Sequence, residues 1–154
     1  MNCDQVDAFV AASGKSLPAA PTWIISTSRK GERRCYLPIA VDGVVSGLQL
    51  EFTIYMHSAN YLVINLLAPQ CITRLCTVTP HWDRAIKSLV PAPHIHRWAD
   101  NRPKGPRLPK TLPHASYLPD LPAGRDAAFR WFLDEIGVES PPWAMDWPDN
   151  EGLI

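Results

Sequence analysis

The stretch PAPHIHRWADNRPKG, residues 91–105, contains the side chains best suited to chemistry. His94 and His96 are separated by one residue. In an extended backbone both imidazoles would point to one face, about 7 Å apart, because a strand rises ~3.3 Å per residue. Imidazole changes charge near neutral pH, so the pair could supply a general base and a general acid. Attack of a 2′-hydroxyl on the adjacent phosphate of RNA requires both roles and no metal ion.

An aromatic side chain and several cations follow the pair. If the strand continues, Trp98 lies on the same face as the histidines, where it could stack on a base. Five cationic side chains are candidates for holding phosphates: Arg97, Arg102, Lys104, Arg107 and Lys110. The same composition is also compatible with an ordinary solvated loop.

Two other interpretations of the histidine pair remain open. In the first, both histidines bind a metal, with His57, His81, His114 or Asp100 as a third ligand. No spacing favours one of these residues, so we predict no metal and no cofactor. In the second, both histidines hydrogen-bond to loop backbone and only shape the turn.

Short segments between residues 21 and 98 have the pattern of β-strands. The clearest strand has apolar residues alternating with polar ones, namely Leu50, Phe52, Ile54 and Met56. Asp42 and Gly43 separate two such segments and predict a tight hairpin. The pattern therefore predicts an antiparallel β-meander of about five to six strands.

Two predicted helices flank these strands. Residues 2–13 begin with Asn2 as the N-cap and Gln5 in the position of a capping box. Residues 120–138 have apolar side chains at helical spacing. Residues 99–119 are rich in proline and predict a long loop. The fold class is thus α+β, with an N-terminal helix and a C-terminal amphipathic helix packed on the sheet.

Length and charge indicate one domain with a distinct tail. The 154 residues have a formal net charge of zero. All 15 Lys and Arg lie in residues 1–130, whereas residues 131–154 contain six acids and no base. We assign residues 1–138 to a single domain and 139–154 to an acidic, Trp-containing tail.

The sequence predicts a cytoplasmic protein without a membrane segment. Its four cysteines have no CxxC spacing, and it shows no cationic leader and no apolar run of ~20 residues.

The order RLCTVTPHW, PAPHIHRW, proline-rich loop and helix resembles a family of uncharacterised bacterial and phage domains with a Pro-His-x-His motif. More distantly it is similar to TumE-type toxins of toxin–antitoxin systems. The similarity covers about residues 62–138. It implies that His94 and His96 form the motif, with Arg74 and His81 in the matching strand and turn before it. It also implies a small cytoplasmic protein from a bacterium or a mobile element.

Two functions are compatible with these features. The first is a toxin-like, metal-independent ribonuclease with His94 and His96 as acid and base, binding RNA through Arg74, His81 and the residues after the pair. The second is a non-enzymatic protein of a phage or mobile element that blocks a host defence complex or binds another protein partner, such as an antitoxin. The zero net charge and the acidic tail favour the second.

Overall fold

The computed structural model describes residues 1–148, which form three helices and ten strands. In chain order these are α1 (Cys3–Ala11), β1 (Lys15–Ser16), β2 (Ile24–Ile25), β3 (Glu32–Val41), β4 (Val44–Tyr55), β5 (Ser58–Leu67), β6 (Cys71–Cys76), β7 (His81–Asp83), β8 (Ser88–Val90), β9 (His94–His96), α2 (Trp98–Asn101), β10 (Ser116–Tyr117) and α3 (Arg125–Ile136).

Eight of these strands form one antiparallel sheet in the order β1-β3-β4-β5-β6-β9-β10, with β2 also paired to β3. The strands β7 and β8 form a separate two-stranded hairpin. The prediction of an α+β fold built on an antiparallel meander is confirmed. The sheet exceeds five or six strands because β1, β2 and β10 add two residues each. No helix in residues 1–148 is long and apolar enough to cross a membrane.

Local signals correctly predicted several boundaries. Asn2 and Gln5 form the reciprocal capping box at the start of α1. Asp42 and Gly43 have φ of 50° and 78° and join β3 to β4, the backbone that a two-residue hairpin turn requires. The helix α3 is capped by Gly137, whose φ of 70° is favourable for glycine, but it begins at Arg125, five residues after the predicted start at 120.

The core lies between one face of the sheet and the helices. Phe52 of β4 packs edge-to-face against Phe129 of α3, with ring centroids 5.4 Å apart. The tail packs on the same core as far as it is described, since Met145 is buried and Trp147 contacts both rings. Residues 149–154 of the predicted tail lie outside the described part of the chain.

The segment 99–119 is more structured than the predicted loop. It contains most of α2 and the strand β10, which pairs with β9 through Ser116 and Tyr117. The pairing adds a strand next to the histidine motif. A two-residue strand inside a proline-rich segment has no sequence period to reveal it.

A buried lysine joins α1 to β1. Lys15 is 2% exposed, and its Nζ donates to the carbonyls of Phe9 and Val10 at 3.1 and 2.9 Å. These carbonyls belong to the last helical turn, and that of Phe9 also accepts from the Ala12 amide at 3.2 Å. Burial lowers the pKa of Lys15.

Replacing Lys15 by Met is expected to lower the free energy of unfolding by roughly 1–3 kcal/mol, because both carbonyls lose the Lys15 donor, only that of Phe9 keeps the Ala12 amide, and the apolar volume is retained. Urea unfolding measures the change. Lys30→Met alters an exposed lysine and is the control. Equal effects of the two substitutions would contradict a capping role for Lys15.

Candidate functional site

Two rows of side chains cross the face of the sheet that lies opposite the helices, which we call the outer face. Directly paired residues of antiparallel strands have side chains on the same side. The register therefore places one row from β3 to β9 as Tyr36, Glu51, Asn65, Arg74 and His96. The neighbouring row contains Arg34, Thr53, Val63, Cys76 and His94. Both motif histidines thus lie on the outer face beside polar residues.

Three histidines meet at the β9 end of these rows, and we call them the histidine cluster: His81, His94 and His96. The ring centroids of His94 and His96 are 5.0 Å apart. His81, from β7, lies 4.6 Å from His96 and 6.0 Å from His94. Arg74 is the direct cross-strand neighbour of His96. The structure therefore brings His81 and Arg74 next to the two histidines of the motif.

The histidine cluster is covered. His94 and His96 are only 2% and 4% exposed, and His81 is partly exposed. The chain passes over the cluster at Leu112 and Pro113. Nδ1 of His96 lies 2.6 Å from the Leu112 carbonyl, and Nε2 of His81 lies 2.8 Å from the Pro113 carbonyl. Carbonyl oxygens only accept, so these two ring nitrogens are the protonated ones.

Both motif histidines favour the neutral form. Burial lowers the pKa of His94, and the nearby charges of His81 and Arg74 act in the same direction. Burial, assisted by His94, lowers the pKa of His96 to about 4. Both imidazoles are therefore neutral at pH 7, the form that can accept a proton.

Among the described residues, two buried ring nitrogens have no hydrogen-bond partner, Nε1 of Trp143 and one atom of the histidine cluster. This atom is Nδ1 of His94. Leaving a buried polar atom without a partner costs about 1–3 kcal/mol, and such atoms are rare in folded proteins. An unpartnered imidazole nitrogen within a polar cluster is compatible with a role in binding or catalysis.

The geometry does not favour the metal interpretation. Within residues 1–148 no group of three or more His, Cys, Asp or Glu side chains is arranged to hold a metal ion. In the histidine cluster, His81 and His96 each direct one ring nitrogen at a backbone carbonyl rather than at a common point where a metal could bind. Among the other candidate ligands, His114 lies 3.5 Å from the Asp83 carboxylate, an ion pair only when the imidazole is protonated.

The predicted position of Trp98 is wrong. The strand β9 ends at His96 and α2 begins at Trp98, so the alternation of a strand does not extend to this residue. Trp98 is 5% exposed in the core, and its indole N–H donates to Asp7 of α1 at 2.8 Å. Its ring is therefore packed on the helix side of the sheet and presents no open face to a base.

The cations after the motif do not gather at the histidine cluster. Arg97 is ion-paired with Glu135 of α3. Arg102 is ion-paired with Asp7 and Asp4 of α1, at 2.8 and 3.3 Å.

Lys104, Arg107 and Lys110 are exposed. Their stretch of chain contacts α1, because the Cys3 amide donates to the Pro106 carbonyl. The two motif histidines lie together, but the five cations proposed to hold phosphates do not surround them.

Sequence reasoning missed the polar side chains in the middle of the outer face. Asn65 is 8% exposed and interrupts an otherwise apolar segment of β5. Its Nδ2 donates to Glu51 and its Oδ1 accepts from Nε of Arg74, both at 2.8 Å. The interruption was visible in the sequence, but only the strand register connects Asn65 to Arg74.

A second hydrogen-bonded group lies further along the same face. Glu32 is 1% exposed and accepts from Arg34 at 2.6 Å and from the Tyr55 hydroxyl at 3.0 Å. Burial opposes ionisation of Glu32, but the Arg34 and Tyr55 hydrogen bonds outweigh it and lower the pKa. The outer face therefore carries a buried, ionised carboxylate.

The architecture defines the chain as an α+β domain with a polar outer sheet face and a covered histidine cluster. Comparison with family models, with curated proteins and with solved structures finds no match.

Proposed function

We propose that this protein cleaves RNA without a metal ion, with the histidine cluster and Arg74 as its site. The observation that carries the proposal is the convergence of three imidazoles, at centroid distances of 4.6–6.0 Å, beside a guanidinium. The four side chains come from three strands, β6, β7 and β9, which the fold brings together.

The roles follow from protonation and exposure. A neutral imidazole of the motif, His94 or His96, accepts the proton of the 2′-hydroxyl as its oxygen bonds to phosphorus. His81, the most exposed member, returns a proton to the departing 5′-oxygen. Arg74 stabilises the charge that develops on the phosphoryl oxygens. The products are a 2′,3′-cyclic phosphate and a free 5′-hydroxyl.

RNA reaches the motif histidines only if the Leu112–Pro113 segment moves aside. Two hydrogen bonds from the cluster hold this segment, one from each of His81 and His96. The proposal therefore includes displacement of this segment by the substrate.

The test is to express wild-type protein and a His94→Ala, His96→Ala double variant in bacteria and to follow growth and RNA integrity. We expect wild-type protein to slow growth and degrade RNA, and the double variant to do neither. His57→Ala changes an exposed histidine outside the cluster and is the control. Intact RNA and normal growth with wild-type protein would overturn the proposal.

A measurement with purified wild-type protein tests the proposal even if the double variant does not fold. Wild-type protein is mixed with RNA and with the same oligonucleotide lacking 2′-hydroxyls, in the presence of a metal chelator. We expect cleavage of RNA alone, with cyclic phosphate ends. Cleavage of both oligonucleotides, or of neither, would contradict the mechanism.

A second candidate function, binding to a protein partner, is favoured by the β7–β8 hairpin. Trp82 and Leu89 are cross-strand neighbours, 55% and 56% exposed, and Ile86 at the turn is 63% exposed. Exposed Trp next to aliphatic side chains is typical of binding surfaces. Capture of a host protein that is lost with Trp82→Ala but kept with His94→Ala would support this function over the nuclease.

A further inference from the structure

The outer face next to the histidine cluster forms an open groove. Its volume is about 400 Å³, within the range of small-molecule sites. Arg34, Glu51, Asn65 and Arg74 lie in it, and Tyr55 and Tyr61 form an aromatic wall. The two tyrosine rings pack edge-to-face at 4.6 Å. The groove thus combines two aromatic rings with alternating cationic and anionic groups.

Hydrogen bonds hold the polar groups of the groove in defined orientations. Asn65 is fixed by Arg74 on one side and by Oε1 of Glu51 on the other, at 2.8 Å each. The second carboxylate oxygen, Oε2 of Glu51, is 3.8 Å from a terminal nitrogen of Arg34, beyond hydrogen-bond range. The Glu51 side chain is 14% exposed. Oε2 is therefore an oriented acceptor at the groove, with guanidinium groups on both sides.

A ligand that complements this arrangement is planar and has donors next to acceptors. Guanine has N1–H and N2–H donors on one edge, which match a carboxylate, and O6 and N7 acceptors, which match arginine. Adenine lacks the N1–H donor. We propose that the groove is a guanine-binding subsite, with Glu51 and Arg34 reading the base and Tyr55 or Tyr61 stacking on it.

The register connects this subsite to the proposed catalytic site. Glu51, Asn65, Arg74 and His96 belong to one row, and their strands are adjacent. Three strand spacings separate Glu51 from His96, about 14 Å between backbones. We place one nucleotide across this span, with its 3′-phosphate at Arg74. This inference rests on the proposed function in that it names the base preceding the cleaved phosphate.

The test is titration of the full chain with the 3′-monophosphates of guanosine, adenosine, cytidine and uridine, followed by calorimetry and NMR. We expect the guanosine nucleotide to bind about tenfold more tightly than the others, as a bidentate base contact typically provides. The signals of Asn65, Tyr55 and Tyr61 should shift on binding. Equal affinities for the four nucleotides, no binding, or shifts confined to other residues would overturn the inference.

A substitution makes the assignment specific. Glu51→Gln keeps the size of the side chain but replaces a carboxylate oxygen by an amide donor, so the preference for guanosine should disappear. Glu139→Gln changes an exposed carboxylate outside the groove and should retain the preference. A preference that survives in Glu51→Gln contradicts the role of Glu51. The wild-type titration remains decisive if Glu51→Gln does not fold.

The outcomes separate this inference from the proposed function. Tight binding of the guanosine nucleotide without RNA cleavage would overturn the ribonuclease proposal and leave the subsite. Cleavage of RNA after all four bases at similar rates would overturn the guanine subsite and leave the ribonuclease.

Discussion

Acidification from pH 7 to pH 4 is expected to lower the free energy of unfolding of wild-type protein by about 3 kcal/mol more than that of the His96→Asn variant. The pKa of His96 falls from 6.5 to about 4 on folding, chiefly through burial. As the pH falls, His96 therefore binds a proton near pH 6.5 in the unfolded chain but only near pH 4 in the folded protein. The contribution of His96 to stability is fully present above pH 6.5 and is lost as the pH falls through this window.

The variant retains the local hydrogen bond while removing the titrating group. The amide nitrogen of Asn occupies nearly the position of Nδ1 of histidine, so donation to the Leu112 carbonyl is kept. Urea unfolding at intervals of half a pH unit gives the two profiles. Buried carboxylates with lowered pKa values, such as Glu32 and Asp83, affect stability at a lower pH, near and below 4.5.

His57→Asn, a change at an exposed histidine, is the matched control and should leave the wild-type profile unaltered. Parallel profiles of unfolding free energy against pH for wild-type protein and His96→Asn would show that protonation of the buried imidazole does not lower the stability. The neutral state assigned to it at pH 7 would then be wrong, and with it the argument for a proton acceptor.

The parts of the fold that could be predicted depend on short-range signals. The capping box of Asn2 and Gln5 and the turn at Asp42 and Gly43 are decided by residues within four positions of each other. The common face of His94 and His96 follows from strand alternation alone. In each case the relevant physics is local, so the sequence contains it.

The parts of the site that could not be predicted depend on the end of a strand and on register. Trp98 lies on the other face because β9 ends two residues before it, and nothing in RWAD marks that end. Arg74 lies beside Asn65 and His96 because of the pairing of β5, β6 and β9. The cover over the motif comes from Leu112, sixteen residues further along the chain. Such contacts follow from tertiary packing rather than from spacing.

Replacing Trp147 by Ala is expected to lower the free energy of unfolding by about 2–4 kcal/mol, somewhat less than for a fully buried tryptophan. Trp147 is partly buried, and its ring lies 5.7 Å from Trp23, 6.3 Å from Phe52 and 6.1 Å from Phe129. Its indole N–H also donates to Asp126 of α3 at 3.3 Å. The substitution removes aromatic contacts with both layers of the core, the sheet and the helix.

Trp82→Ala is the matched control, because Trp82 is 55% exposed on the β7–β8 hairpin and its loss should change the free energy of unfolding by no more than about 0.5 kcal/mol. Urea unfolding followed by circular dichroism gives both values, because this signal does not depend on the tryptophans. A loss for Trp147→Ala as small as for Trp82→Ala would mean that residues 139–148 contribute no packing to the core. A loss of the expected size makes this part of the tail a component of the folded domain, because a detached tail could not stabilise the sheet and α3 together.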